Sequence, residues 1–163
     1  MRDASLDVTA QDLELYQDRF FDADPGIRRL ARSIFEETHD LPIVSPHGHV
    51  DPLPLALNTP FPEPTALMIL PDHYILRMLY SLGIPLPRLG LAPLHGGAAE
   101  KDPRKIWQLL GDHFHYFRAT PTAIWLNYQL RQVFGVRSKL DGNTAPLIYD
   151  EIREKLESPE FLP

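Results

Sequence analysis

Two histidines one residue apart, His47 and His49, follow a short apolar run from Leu41 to Val44 and lead into Asp51-Pro52. In a β-strand, side chains alternate between faces, so these imidazoles would share a face, about 6.6–6.8 Å of rise apart. Imidazole nitrogens are good ligands for divalent cations, and two on one face can grip a single ion. Gly48 between them lets another backbone or a ligand come close. The structural alternative is that two polar residues merely cap a strand, and the pattern by itself leaves both readings open. His113 and His115 repeat the spacing inside a helical pattern. Helix positions i and i+2 do not face each other, so that pair cannot share an ion. His39 and His95 lie in turn-like surroundings and read as surface residues.

A second constellation is Asp72-His73-Tyr74-Ile75-Leu76-Arg77. Asp72 is placed to cap a helix. On that helix His73 and Arg77, four apart, share a face, with Tyr80 next along it, while Ile75, Leu76, Leu79 and Leu82 supply apolar surface. An arginine suited to a carboxylate, with a histidine and a tyrosine as donors near a helix start, could bind an anion or a sugar. The alternative is an ordinary capped amphipathic helix with a polar outer face. Trp107, Phe114, Phe117, Trp125, Tyr128 and Phe134 recur in two later helical patterns, and their spacing predicts a seam between packed helices rather than a ligand box. No phosphate-binding glycine loop, nucleophile elbow or Ser-His-Asp spacing is present.

The elements that must position these residues are mainly helical. Among 17 prolines, Asp24-Pro25, Asp102-Pro103, Thr120-Pro121 and Ser158-Pro159 each set a capping residue before a proline at the first helical position. The pattern predicts a weak helix over residues 9–20 and a clear one from Asp24-Pro25, with Ile27, Leu30, Ala31, Ile34 and Phe35 at helical spacing. The His-x-His strand follows. A proline-rich loop over 54–64, a helix over 65–70, a helix from Asp72 to Gly83 and a loop over 85–97 come next. Helices over 103–116, 121–134 and 144–157 complete the chain. One strand among six or seven helices has two unpaired edges. The expectation is therefore a chain that forms the front part of a larger fold.

A length of 163 residues is about one domain. With 44% hydrophobic and 23% charged residues the composition is that of a globular protein, and a net charge of −6 argues against nucleic acid or an anionic membrane as the main partner. The absence of cysteine excludes disulfides and thiolate metal sites. No apolar run approaches the ~20 residues needed to span a bilayer, and no signal-peptide core opens the chain. A cytoplasmic protein is expected, and a homo-oligomer is allowed.

The segment from Pro42 through His47-Gly48-His49 to Pro52 resembles the first barrel strand of uronate isomerases, members of the amidohydrolase superfamily, whose usual form is Pro-Ile-(Ile or Val)-x-x-His-x-His-(Leu or Val)-x-Pro. The same family has an Asp-His-Tyr-x-x-Arg helix followed by a glycine, matched here by Asp72 to Arg77 with Gly83. It also has a later helix ending in Phe-Gly, matched by the stretch from Trp125 to Phe134-Gly135. The His-x-His pair is common to the whole superfamily, and the Asp-His-Tyr helix singles out the isomerase branch.

The resemblance implies an aldose–ketose isomerase on a metal-dependent (β/α)₈ barrel, interconverting a hexuronate such as glucuronate with its keto form, fructuronate. Residue by residue, it makes His47 and His49 ligands of a divalent metal, zinc being the expected ion. It makes His73 and Tyr74 catalytic residues near the substrate, and Arg77 a substrate-binding residue. It divides the chain into N-terminal helices and first strand (1–52) and a helical insertion (53–163), with the rest of the barrel absent. An aspartate ligand on the last strand and further substrate-binding arginines have no counterpart here, so these residues alone are expected to bind metal poorly and to be inactive. The stretch from Thr65 to Pro71 and the proline-rich loop before it depart from the family pattern, which leaves room for a divergent substrate. Two other readings stand: a metal-dependent hydrolase of the same superfamily, and a non-catalytic helical module that binds a partner through its aromatic seam.

Overall fold

The computed structural model describes residues 12–45 and 51–162. Among the described residues seven α-helices run in order: α1 (Pro25–Thr38), α2 (Leu53–Leu57), α3 (Pro64–Met68), α4 (His73–Ser81), α5 (Pro103–His113), α6 (Pro121–Tyr128) and α7 (Ala145–Leu156). Short 3₁₀ turns occupy Leu86–Leu89, Phe114–Phe117 and Pro159–Phe161, and a π-helical turn, Gln129–Val133, extends α6. Among the described residues no helix is long and apolar enough to cross a membrane.

Side-chain oxygens set most of the helix starts. Asp24 Oδ1 accepts from the backbone N–H of Gly26 at 2.7 Å and of Ile27 at 2.9 Å. Asp102 Oδ1 accepts from Arg104 N at 3.0 Å, and Thr120 Oγ1 from Ala123 N at 3.3 Å. These three caps are as the Asp/Thr-Pro pattern predicts. Ser158 differs: it makes no cap bond and opens only the last 3₁₀ turn. Glu63, outside the predicted set, caps α3 by accepting from Thr65 N at 2.6 Å and Ala66 N at 2.8 Å.

Two predicted elements are overturned, and the described part of a third, the His-x-His strand, is not extended into a strand. The helix over 9–20 is absent from its described part. Instead Asp12 pairs with Ser138 in an isolated antiparallel bridge, Leu13 N–H donates to the Arg137 carbonyl, and residues 17–20 turn. Burial of Leu13 against the far end of the chain outweighs a weak local preference. The proline-rich loop contains α2, because prolines at the first helical positions cost nothing there. Asp51 Oδ1 accepts from Leu53 N at 3.0 Å, and Asn58, left-handed at φ 50°, ends the turn. Residues 42–45 form no strand, with Ile43 and Val44 93% and 90% exposed. A strand needs a partner edge for its N–H and C=O groups, and no described segment offers one.

The core lies where α5 meets α7. Trp107, fully buried, donates from Nε1 to the Ala145 carbonyl at 2.9 Å, and its ring meets Tyr149 edge-on at 5.9 Å. Gly111 allows the approach, since a Cβ there would lie 2.5 Å from the Ala145 Cβ and 2.9 Å from the Asp141 carbonyl oxygen. Arg104 sits over the Tyr149 ring at 4.5 Å and pairs with Asp150, holding that carboxyl below its usual range. Two longer-range bonds fasten α3 to this pair of helices. Thr65 Oγ1 donates to the Pro103 carbonyl at 2.7 Å, and Tyr149 donates from its hydroxyl to Glu63 Oε2 at 3.0 Å. Leu126, Leu130, Phe134 and Val136 close the core from α6 and the turn after it. From residue 14 to residue 63, no described side chain is buried.

Gly111→Ala is expected to lower stability by about 1–3 kcal/mol through overpacking, read from chemical denaturation. Burial and its bond to Glu63 push the Tyr149 phenol up to about 12. The folded state then holds this proton more tightly than the unfolded chain, whose phenol titrates near 10. Its stabilisation is complete below pH 10 and is lost as pH rises through about 12. Between those limits the parent chain should lose on the order of 2 kcal/mol more than Tyr149→Phe; parallel alkaline denaturation curves would contradict this.

Candidate functional site

From α3 the chain passes through Ile69, Leu70 and Pro71 to Asp72, whose Oδ1 accepts from Tyr74 N at 2.8 Å and Ile75 N at 3.2 Å. Ile75, Leu76 and Leu79 anchor α4 in the core, which turns His73, Tyr74 and Arg77 outward. The rings of His73 and Tyr74 lie 4.1 Å apart between centroids, tilted by 34°. The Arg77 guanidinium carbon is 5.2 Å from the Tyr74 centroid. Tyr74, which the spacing did not set on the face of His73 and Arg77, thus touches both of them. Tyr80 stands apart, exposed and outside the cavities that these residues border.

Two cavities meet at this helix. One, of about 650 Å³, is lined by Asp72, His73, Tyr74, Thr122, Trp125 and Gln129 over an apolar floor that includes Leu126 and Phe134. The other, of about 700 Å³, is lined by Tyr74, Arg77, Ser81, Thr120, Thr122 and Trp125, with Met78 and Phe117 beneath. Both volumes suit a small ligand. Tyr74, Thr122 and Trp125 border both cavities, with His73 lining only the first and Arg77 only the second.

Trp125 and Tyr128 correct the aromatic seam. Trp107, Phe114, Phe117 and Phe134 are buried as the spacing predicts, whereas Trp125 is 62% and Tyr128 49% exposed. In α6 apolar residues occur all round the helix, so hydrophobicity alone does not say which side is outward. A usable signal was the polar stripe Thr122 and Gln129, which together with Trp125 follow i, i+3, i+7 spacing.

His47 and His49 lie outside the described residues. Among the described residues, no three His, Asp or Glu side chains group closely enough to hold a metal ion. His113 Nδ1 lies 2.8 Å from the Leu109 carbonyl, and His115 packs against Tyr116 at 4.0 Å. His39 stacks on Phe35 and sits 3.3 Å from the Asp40 carboxylate.

A capped helix presenting a His-Tyr-Arg group to ligand-sized cavities is a candidate small-molecule site in a helical scaffold, and comparison with known proteins gives the chain's family. The glucuronate isomerase family model matches residues 18–163. The uronate isomerase of Phenylobacterium zucineum is 48% identical over 151 residues, covering 93% of this chain and 31% of that protein. That of Xanthomonas euvesicatoria is 46% identical over 93% of this chain and 32% of its own length. Among solved structures, glucuronate isomerase from Caulobacter crescentus superposes with a TM-score of 0.87 at 41% identity, covering 94% of this chain and 32% of that one. Uronate isomerase from Thermotoga maritima gives a TM-score of 0.74 at 26% identity, covering 92% of this chain and 30% of that one. The chain belongs to the glucuronate isomerase family and spans about a third of the length of the relatives it matches. That membership disfavours the hydrolase and interaction-module readings.

Because the chain has two tryptophans, the exposure of Trp125 can be read directly. Trp125→Phe, which retains only buried Trp107, is expected to lose most acrylamide-quenchable fluorescence with stability within about 0.5 kcal/mol of the parent. Unchanged quenching would place Trp125 in the helix seam after all.

Proposed function

We propose that this chain forms the amino-terminal portion of an aldose–ketose isomerase acting on a hexuronate, of the glucuronate-to-fructuronate type. The observation that carries the reading is the contact of Tyr74 with both His73 and Arg77 at a cavity wall, in a member of the glucuronate isomerase family. In this reading residues 1–52 contribute the outer helices and first strand of a (β/α)₈ barrel, and residues 53–163 form a helical insertion that carries the substrate-binding wall.

The reaction removes the proton at C2 of the open-chain sugar acid, protonates the C1 carbonyl oxygen, and returns a proton to C1 as the C2 hydroxyl becomes the ketone. Arg77 pairs with the substrate carboxylate, for which a guanidinium fork is well matched. The Tyr74 hydroxyl donates to the sugar oxygen on which charge develops, and His73 beside it holds or passes a proton. The exposed indole of Trp125 offers an apolar face to the carbon skeleton and helps exclude water. His47 and His49 would hold the divalent metal, zinc in this reading, which when bound polarises the substrate oxygens. The remaining ligand and the principal base come from the two-thirds of the relatives' length that this chain does not span.

The isolated 163 residues are expected to turn over no hexuronate. Joined to the remaining two-thirds of the Phenylobacterium zucineum relative, they should isomerise glucuronate or galacturonate. In that fusion Tyr74→Phe and His73→Gln should lower kcat by about 10²–10⁴-fold. Arg77→Met should act mainly on KM, with partial rescue by Arg77→Lys. His47→Ala and His49→Ala should each lower bound zinc measured by atomic emission. Turnover by the isolated chain, or a Tyr74→Phe fusion of unchanged rate, would defeat the proposal.

A further inference from the structure

The two cavities on α4 divide the proposed site between them. His73 lines only the first and Arg77 only the second, while Tyr74, Thr122 and Trp125 border both. A hexuronate carries its reacting C1–C2 end and its carboxylate at opposite ends of its carbon chain. With the reacting end at His73 and the acid at Arg77, the middle of the substrate passes along the residues common to both cavities. Tyr74 is engaged there at the reacting oxygen, and Trp125 offers an apolar face. Thr122 supplies the remaining polar group at the crossing.

Hydrogen bonding sets Thr122 apart from the other hydroxyls nearby. Ser81 Oγ donates to the Met78 carbonyl at 2.7 Å. Thr120 Oγ1 donates to the Phe117 carbonyl at 2.6 Å and accepts from Ala123 N at 3.3 Å. Both residues line the second cavity only. Thr122 is half-buried, and its hydroxyl makes no hydrogen bond to any described residue. It is also firmly held. The Thr120 cap and Pro121 at the first helical position fix the opening turn of α6, and Ala123 beside it is buried. A free hydroxyl on a fixed turn, bordering ligand-sized space, suits discrimination between substrate hydroxyl configurations, because the wrong configuration leaves it unpaired.

We propose that Thr122 reads the configuration of a hydroxyl in the middle of the substrate and so sets the preference between glucuronate and galacturonate, which differ only at C4. The proposal rests on the functional reading for its substrate and adds the residue that chooses between the epimers.

Binding is read on the chain itself. L-Gulonate and L-galactonate, the C1-reduced, open-chain forms of the two hexuronates, cannot isomerise, and exposed Trp125 reports their binding by fluorescence. One should bind about three- to tenfold more tightly than the other, and Thr122→Val should bring the two dissociation constants within about twofold. Thr122→Ser, which keeps the hydroxyl, should retain the difference. Turnover is read on the fusion to the remaining two-thirds of the Phenylobacterium zucineum relative, where the ratio of kcat/KM for the two hexuronates should respond to both substitutions in the same way. A parent ratio near one, or a ratio that survives Thr122→Val, would overturn the proposal in either measurement. Loss of the binding ratio in a chain whose fusion isomerises neither hexuronate would uphold Thr122 as the epimer reader and defeat the functional reading. If the chain binds neither probe, the kcat/KM ratio of the fusion decides, and with neither binding nor turnover both readings fall.

Discussion

The close approach of α5 and α7 at Gly111 and Ala145 is the constraint from which the rest of this structure follows. No side chain larger than hydrogen fits at position 111, and the Trp107 indole reaches the Ala145 carbonyl only because the helices are this near. The indole N–H is thus satisfied in a place where water cannot reach it, which is the condition for burying a tryptophan without penalty. Tyr149 follows from the same packing. Its ring lies between Trp107 and Arg104, and its hydroxyl finds Glu63.

The candidate site hangs from this pair of helices by a short mechanical chain. Thr65 and Glu63 tie α3 to the start of α5 and to α7. Only three residues separate α3 from Asp72, so holding α3 also holds the start of α4. The Asp72 cap fixes the first turn, and burial of Ile75, Leu76 and Leu79 fixes its rotation. The outward direction of His73, Tyr74 and Arg77 is the remainder of that arrangement. A ligand-facing group carried on a capped, anchored helix is better positioned than the same residues on a loop.

The amino-terminal segment obeys a different logic. Its helix is well capped and strongly amphipathic, but its apolar stripe meets solvent, and the apolar run after it forms no strand. Local rules are satisfied there and tertiary rules are not.

Legibility followed the range of the interactions. Caps at Asp24, Asp72, Asp102 and Thr120 act within three residues, and all four were readable. On α4 the spacing set Tyr80 beside His73 and Arg77, whereas Tyr74 is the residue that touches both, because adjacent side chains at the helix start can fold over one another. Glu63 was missed although its capping bonds are equally local, because Glu is not among the preferred capping residues; its bond to Tyr149, 86 positions away, left no local trace. The helix expected near the amino terminus failed because Leu13 docks beside Arg137, a contact with no local trace. Trp125 was misassigned because α6 is apolar on every side, so only the neighbours in space decide which aromatic is buried. Sequence by itself determined most of the helix starts and the family motifs, since each depends on neighbours within a turn or two. Only the tertiary structure decided that Trp125 faces a cavity, that Gly111 sets the helix spacing and that the face of α1 is left open, because burial is a property of what packs against a residue and not of the residue.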